Sequence, residues 1–124
     1  MAASPPLILV VDDDPDMLEL VRRHLAGAGY EVARADGAAA ARRAIAERTP
    51  DLIIADINMP GTSGVEFVAG LREEPTLSRI PVVYLTGLET NTELVVQTLG
   101  YPLLSKPVNA PELLALVKRQ LPRR

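Results

Sequence analysis

Short apolar runs alternate with longer amphipathic stretches along this chain, and that alternation is the strongest constraint on its fold. Residues 7–11 form a continuous apolar run, which is typical of a strand buried on both faces of a sheet. Residues 15–26 follow with apolar side chains at helical spacing, after Asp14 as N-cap and Pro15 as first helical residue. The same periodicities predict strands at 31–35, 52–57, 81–85 and 103–105, and helices at 38–48, 65–74, 90–99 and 110–121.

Five strands that alternate with five helices predict an α/β fold. The expected architecture is a doubly wound, five-stranded parallel sheet of the flavodoxin-like (βα)5 kind, with strand order 2-1-3-4-5. Ligands of such sheets bind outside the carboxyl ends of the strands, where the strand order reverses. We therefore expect the chemistry of this chain at that edge of the sheet.

The length of 124 residues fits a single domain, which we expect to span 1–124, with a flexible lead at 1–6 and a tail at 122–124. Hydrophobic residues make up 48% of the chain and aromatic residues only 3%, so the core should be mainly aliphatic. The chain contains no cysteine, which excludes disulfides, thiol catalysis and cysteine zinc sites.

Charge and hydropathy narrow the choice of partners. The formal net charge of −3 disfavours direct nucleic-acid binding, which usually needs a basic face. The N-terminal residues lack the pattern of a signal peptide, and no apolar stretch approaches the roughly 20 residues of a membrane span. We expect a cytoplasmic domain that binds neither membranes nor nucleic acid.

Polar side chains stand at the carboxyl ends of four predicted strands. They are Asp12, Asp13 and Asp14 after the first strand, Asp56 near the end of the third, Thr86 after the fourth and Lys106 after the fifth. Because the carboxyl ends of parallel strands lie along one edge, these groups should form one pocket of carboxylates, a hydroxyl and an ammonium.

Such a pocket favours phosphoryl chemistry. Clustered carboxylates repel one another unless a cation is present, and Mg²⁺ prefers oxygen ligands together with a phosphate. Lys106 offers a compact positive charge to phosphoryl oxygens, and Thr86 offers a neutral donor. An aspartate can form an acyl phosphate, and phosphoryl transfer depends mainly on positioning and charge neutralisation. Asp56 is the candidate acceptor.

Each of these residues also has a purely structural interpretation. Acidic residues after a strand often cap the next helix, as Asp14 is expected to do. An aspartate in a strand can be a salt-bridged core residue, and Thr-Gly or Lys-Pro pairs are common in turns and loops. The joint occurrence of these residues at four strand ends is what favours the chemical interpretation.

Four segments carry a family resemblance, in the same order and at similar spacing. They are Ile8-Leu9-Val10-Val11-Asp12-Asp13-Asp14-Pro15, Asp51-Leu52-Ile53-Ile54-Ala55-Asp56-Ile57-Asn58-Met59-Pro60-Gly61, Pro81-Val82-Val83-Tyr84-Leu85-Thr86-Gly87 and Ser105-Lys106-Pro107. With them the chain resembles the receiver domain of bacterial two-component response regulators over nearly its full length. The resemblance implies a signalling protein rather than an enzyme, with only Mg²⁺-dependent self-phosphorylation and slow autodephosphorylation.

The resemblance also implies a role for each acidic residue. Asp56 would take the phosphoryl group from a phosphohistidine on a sensor histidine kinase or a phosphotransfer protein. Asp12, Asp13 and Asp56 would hold Mg²⁺, with Asp13 a more direct ligand than Asp12. The backbone carbonyl of Asn58 would complete the protein ligands of the metal.

The remaining implied roles concern switching. Thr86 would move to bond the phosphoryl group, Lys106 would bind its oxygens, and Lys106–Pro107 would be a candidate cis peptide bond. A downstream effector would bind the face formed by the helix predicted at 90–99, the fifth strand and the last helix.

The chain departs from the family pattern on that face. Leu103 stands where family members commonly carry a switching Tyr or Phe, and the stretch between Thr86 and Lys106 is slightly short. One hypothesis is that Tyr101 substitutes for the aromatic, since it has the strand parity of Leu103. The alternative is that Tyr101 is a turn residue before Pro102.

Two other functions compete with a phosphorylation switch. One is a phosphorylation-independent adaptor that uses the atypical face around Leu103. The other is a hydrolase with Asp56 as recurrent nucleophile. Enzymes of that kind generally carry a second acid two residues after the nucleophile, where this chain has Asn58, which argues against fast turnover.

Overall fold

The computed structural model describes residues 4–87 and 101–122 of the chain. Its strands are β1 (Leu7–Val11), β2 (Glu31–Ala35), β3 (Leu52–Asp56), β4 (Val82–Thr86) and β5 (Leu103–Ser105), and its helices are α1 (Pro15–Gly27), α2 (Ala38–Glu47), α3 (Gly64–Arg72) and α4 (Ala110–Gln120). All strand pairs are parallel, in the order β2-β1-β3-β4-β5. The predicted doubly wound fold is confirmed, and the helix predicted at 90–99 lies outside the described residues.

Local capping decides where two of the helices begin. The Asp14 side chain accepts a hydrogen bond from the Asp16 N–H at 2.9 Å, which confirms Asp14 as the N-cap of α1. At α3, the Ser63 hydroxyl accepts from the Glu66 N–H and the Glu66 carboxylate accepts from the Ser63 N–H. This capping box makes α3 begin at Gly64, one residue earlier than predicted, and its Ser-x-x-Glu spacing was visible in the sequence.

The strands differ from the prediction by a single residue at three ends: β3 ends one residue earlier, and β4 both begins and ends one residue later. β3 ends at Asp56, although the Ile57 N–H still donates to the Leu85 carbonyl at 3.0 Å. β4 runs one residue further than predicted, so Thr86 is its last residue rather than the residue after it. Asp56 pairs with Leu85, so Thr86 ends β4 one residue beyond the level at which β3 ends.

An apolar core fills each face of the sheet. Helices α2 and α3 cover one face, and α1 and α4 cover the other. The cores are mainly aliphatic, as predicted, although Phe67 and Tyr84 are also buried. In α4 the buried residues are Leu113, Leu116 and Val117, and Leu114 is half-buried against the same core.

Candidate functional site

The register of the two central strands brings Asp12 and Asp56 side by side. Val11 pairs with Ala55 across β1 and β3, so Asp12 follows β1 at the level at which Asp56 ends β3. The strand order reverses between these two strands, which is where doubly wound sheets bind their ligands. The relative exposure is 0% for Asp12 and 4% for Asp56, so both carboxylates are held out of bulk water.

Lys106 brings a positive charge to this buried pair. Its Nζ lies 3.0 Å from Asp12 Oδ2 and 3.4 Å from Asp56 Oδ2. Its backbone N–H donates to the Thr86 carbonyl at 2.8 Å, which anchors the residue after β5 to the end of β4. The Lys106–Pro107 peptide bond is cis, as the family resemblance implied.

A third carboxylate completes an acidic cluster that fits a metal ion. Oxygens of Asp12, Asp13 and Asp56 all lie within 4.8 Å of one another, close to the ~4 Å between ligands on opposite sides of a Mg²⁺ ion. Asp12 Oδ1 accepts from the Asp14 N–H at 3.0 Å. Asp12 Oδ2 is buried and accepts no aligned hydrogen bond from the described residues. Its contact with them is the ion pair with Lys106. Hard oxygen donors with unused lone pairs suit Mg²⁺.

The environment changes the proton affinity of the two central groups. Burial raises the pKa of Asp56 from 3.8 to about 6, and the neighbouring Asp12 charge adds to the shift while Lys106 opposes it. Burial alone would lower the pKa of Lys106, but close contact with Asp12 and Asp56 outweighs burial and raises it. Lys106 is therefore charged at neutral pH, and Asp56 carries an energetic penalty when it ionises.

We expect Asp56→Asn to stabilise the Mg²⁺-free protein at neutral pH. Because the pKa of Asp56 is higher in the folded state than its usual value of 3.8, the folded state binds this proton more tightly. Stability from this group is therefore present at low pH and is lost as pH rises through about 6, by at most about 3 kcal/mol. The measurement is urea unfolding in the presence of a chelator at several pH values.

The quantity to compare is the difference in unfolding free energy between variant and wild type, because the titration of all other groups largely cancels in it. The free energy of unfolding of Asp56→Asn should exceed that of wild type most at pH 7, and this difference should disappear towards pH 4. Glu47→Gln, which neutralises an exposed carboxylate at the end of α2, should show no such trend. An Asp56→Asn variant that is less stable than wild type at pH 7 would contradict the penalty.

Thr86 and Asn58 lie at the same edge as the acidic cluster. Thr86 is half-buried, pairs with Ser105 across β4 and β5, and donates its hydroxyl to the Gly87 carbonyl at a long 3.4 Å. Asn58 is exposed and follows Asp56 by two residues. The structure thus brings Asp12, Asp13, Asp56 and Lys106 into direct proximity, with Thr86 and Asn58 beside them.

Tyr101 belongs to an aromatic cluster that the sequence did not predict. It lies in a bend before Pro102, outside β5, so the strand parity with Leu103 does not apply. Its ring meets Tyr84 edge-on, with centroids 5.6 Å apart and planes at 86°. The Arg72 Nε donates to its hydroxyl at 2.9 Å. Tyr101 is thus a turn residue, but one that joins β4 to the end of α3.

Burial distinguishes the residues of this cluster from Leu103. Desolvation raises the pKa of Tyr84 to about 12, so its phenol stays neutral. Leu103, directly opposite Tyr84 in the β4–β5 register, is 39% exposed. The only sequence signal for the cluster was Tyr84 itself, an aromatic residue in an otherwise aliphatic strand.

Fold and site together define a doubly wound domain with an acidic pocket beside a lysine, whose carboxylates could hold a metal ion. The family model for the response regulator receiver domain matches residues 8–118. The chain belongs to this family and is a receiver domain of two-component response regulators, which are signalling proteins.

Curated relatives agree with this assignment. The chain is 37% identical over 120 residues to the phosphate regulon transcriptional regulatory protein PhoB of Rhizobium meliloti, covering 95% of this chain and 53% of that protein. It is 40% identical over 123 residues to the transcriptional regulatory protein PrrA of Mycobacterium tuberculosis, covering 98% and 52%. The chain therefore spans about half the length of these relatives.

Solved structures agree as well. The chemotaxis protein CheY4 of Vibrio cholerae superimposes with a TM-score of 0.85 at 32% identity, covering 94% of this chain and 99% of that one. A putative response regulator from Chloroflexus aurantiacus gives a TM-score of 0.87 at 33% identity, covering 96% of this chain and 99% of that one.

Within residues 4–87 and 101–122, no helix combines the length and apolar character that a membrane crossing requires.

Proposed function

We propose that Asp56 accepts a phosphoryl group from a phosphohistidine on a sensor histidine kinase or a phosphotransfer protein. One observation carries this proposal: the Asp56 carboxylate is almost fully buried at the switch point, within the acidic cluster and 3.4 Å from the Lys106 ammonium. A structural ion pair needs one carboxylate for each cation, whereas here two buried carboxylates share the single ammonium of Lys106. Such an arrangement suits a carboxylate that gains further negative charge when it is modified.

Asp56 acts as the nucleophile in this proposal. One carboxylate oxygen attacks phosphorus, the phosphorus–nitrogen bond of the donor breaks, and the imidazole leaves with that electron pair. Bound Mg²⁺, held by Asp12, Asp13, Asp56 and the Asn58 carbonyl, would supply charge neutralisation for the transferred oxygens. Lys106 already lies where it can bind one of those oxygens once its ion pair with Asp56 loosens.

The switching part of the proposal uses the other edge groups. Thr86 would turn its hydroxyl towards the phosphoryl group, since its present bond to the Gly87 carbonyl is long and weak. Phosphorylation would change the binding of a partner at a face around β5 and α4. The domain would span the whole chain and be cytoplasmic. Turnover would be limited to self-phosphorylation and slow autodephosphorylation.

The test is a phosphorylation assay on the wild-type chain. With acetyl phosphate and Mg²⁺, intact-mass spectrometry should detect the addition of one phosphoryl group, and borohydride reduction with peptide mapping should place it on Asp56. Chelation of Mg²⁺ should prevent the addition. Modification on another residue, or none in a folded sample with Mg²⁺, would refute the proposal.

A further inference from the structure

Asp56 and the residue after it are enclosed by α3 as well as by the sheet. The Gly64 N–H, in the first turn of α3, donates to the Ile57 carbonyl at 2.9 Å. A Cβ on Gly64 would lie 3.0 Å from the Asp56 carbonyl carbon and would overlap the carbonyl oxygen. The helix therefore sits directly on the main chain of Asp56, at a distance that only glycine permits.

The opposite side of this segment is held by β4. The Ile57 N–H donates to the Leu85 carbonyl at 3.0 Å, and the Ile57 side chain is fully buried. The peptide units between Asp56 and Asn58 are thus clamped between a sheet strand and a helix terminus. Hydrogen bonds on both sides leave them little freedom to rotate.

The loop that closes this clamp is anchored at both ends. Met59 is 8% exposed and belongs to the core under α2 and α3. Gly61 has φ +79°, a left-handed conformation that suits glycine and turns the chain back towards α3. Ser63 and Glu66 then lock the first turn through the capping box. The loop before Gly64 and the capping box around it therefore hold Gly64 against the main chain of Asp56.

We propose that Gly64 is a positioning residue for the phosphoacceptor site. Its close contact with the main chain of Asp56 sets the direction of the Asp56 carboxylate and of the Asn58 carbonyl. This inference rests on the proposed function, which assigns both groups to the metal. The neighbour that a Cβ would meet is backbone, so it cannot swing aside, and α3 or the end of β3 must move. A shift of about 1 Å at a reacting centre can cost about 100-fold in rate.

Gly64→Ala tests the proposal through metal binding as well as phosphorylation. In folded protein, we expect the Mg²⁺ dissociation constant from calorimetry to rise about 10-fold and the rate with acetyl phosphate to fall about 100-fold. The amide resonances of Ile57 and Asn58 should shift in the NMR spectrum before any metal is added. A variant that is folded and keeps both wild-type values would overturn the proposal.

Gly70→Ala is the matched control on the same helix. There a Cβ meets only the end of the Arg42 side chain, which is flexible and can move. Its Mg²⁺ affinity and phosphorylation rate should stay within about twofold of wild type, since no backbone has to shift. Equal losses in both glycine variants would mean that general loosening of α3, and not the seat on Asp56, is responsible.

A second variant covers the case in which Gly64→Ala does not fold. Ser63→Ala removes the capping box and loosens the first turn without a steric clash, so Mg²⁺ affinity should fall by about threefold or more. Unchanged affinity in Ser63→Ala would then overturn the proposal. If wild type binds Mg²⁺ but accepts no phosphoryl group, the proposed function fails, whereas the comparison of Mg²⁺ affinities still tests Gly64.

Discussion

Asp56→Asn should abolish phosphorylation of this protein by acetyl phosphate and Mg²⁺. The amide of asparagine has the shape of the carboxylate but is not a nucleophile, so no acyl phosphate can form at this position. Asp12 should not substitute for it, because its Oδ1 accepts the Asp14 N–H at 3.0 Å and its Oδ2 lies 3.0 Å from the Lys106 Nζ, so both of its oxygens are engaged. The measurement is the fraction of phosphorylated protein by intact mass over a time course.

Two controls separate lost chemistry from lost structure. Because Asp56 ionises at an energetic cost, Asp56→Asn should be at least as stable as wild type, so the missing phosphorylation cannot be explained by unfolding. Glu47→Gln should be phosphorylated like wild type. Phosphorylation of Asp56→Asn at Asp13, the exposed member of the cluster, would mean that the pocket activates any carboxylate and does not select Asp56.

Lys106→Met should destabilise the Mg²⁺-free protein by about 3 kcal/mol at pH 7, because it leaves two buried carboxylates without a cation. Methionine keeps much of the side-chain volume, so the loss reports charge more than packing. Without the ammonium the pKa of Asp56 should rise further, so the deficit should be largest at neutral pH and shrink towards pH 4. Urea unfolding with a chelator measures it.

Mg²⁺ should restore part of the stability of Lys106→Met, since the metal also neutralises the carboxylates. The rate of phosphorylation should still fall by about 100-fold, because one donor to the phosphoryl oxygens is missing. Lys118→Met, at an exposed position of α4, should change stability by no more than about 0.5 kcal/mol. A Lys106→Met variant as stable as wild type without Mg²⁺ would show that the ion pairs contribute nothing.

The fold was predictable because its signals are local. Apolar runs predicted β1 and β3 as buried strands, with the run of β3 interrupted only at Asp56, and the structure places both in the interior of the sheet. Asp14 and Pro15 predicted the start of α1. The predicted start of α3 is one residue late, because glycine is a weak helix former and the Ser63–Glu66 capping box begins the helix at Gly64 all the same.

The site was predictable in membership but not in geometry. Parallel strands put the residues after their carboxyl ends at one edge, which is why Asp12, Asp56 and Lys106 could be grouped from the sequence. The ion pairs among them depend on strand order and register. The Tyr101 contacts with Tyr84 and Arg72 follow from no sequence pattern, because they join a bend, a strand and the end of a helix.

The sequence by itself determined the alternation of strands and helices, the edge at which the polar residues collect, and the family to which the chain belongs. Periodicity, capping residues and short motifs are properties of neighbouring residues, so they can be seen without a structure. The tertiary structure decided the rest: the raised pKa of Asp56, the bridging position of Lys106 and the close seat of Gly64. Each of these depends on distances between separate elements of the fold, which are set only when the sheet and its helices pack.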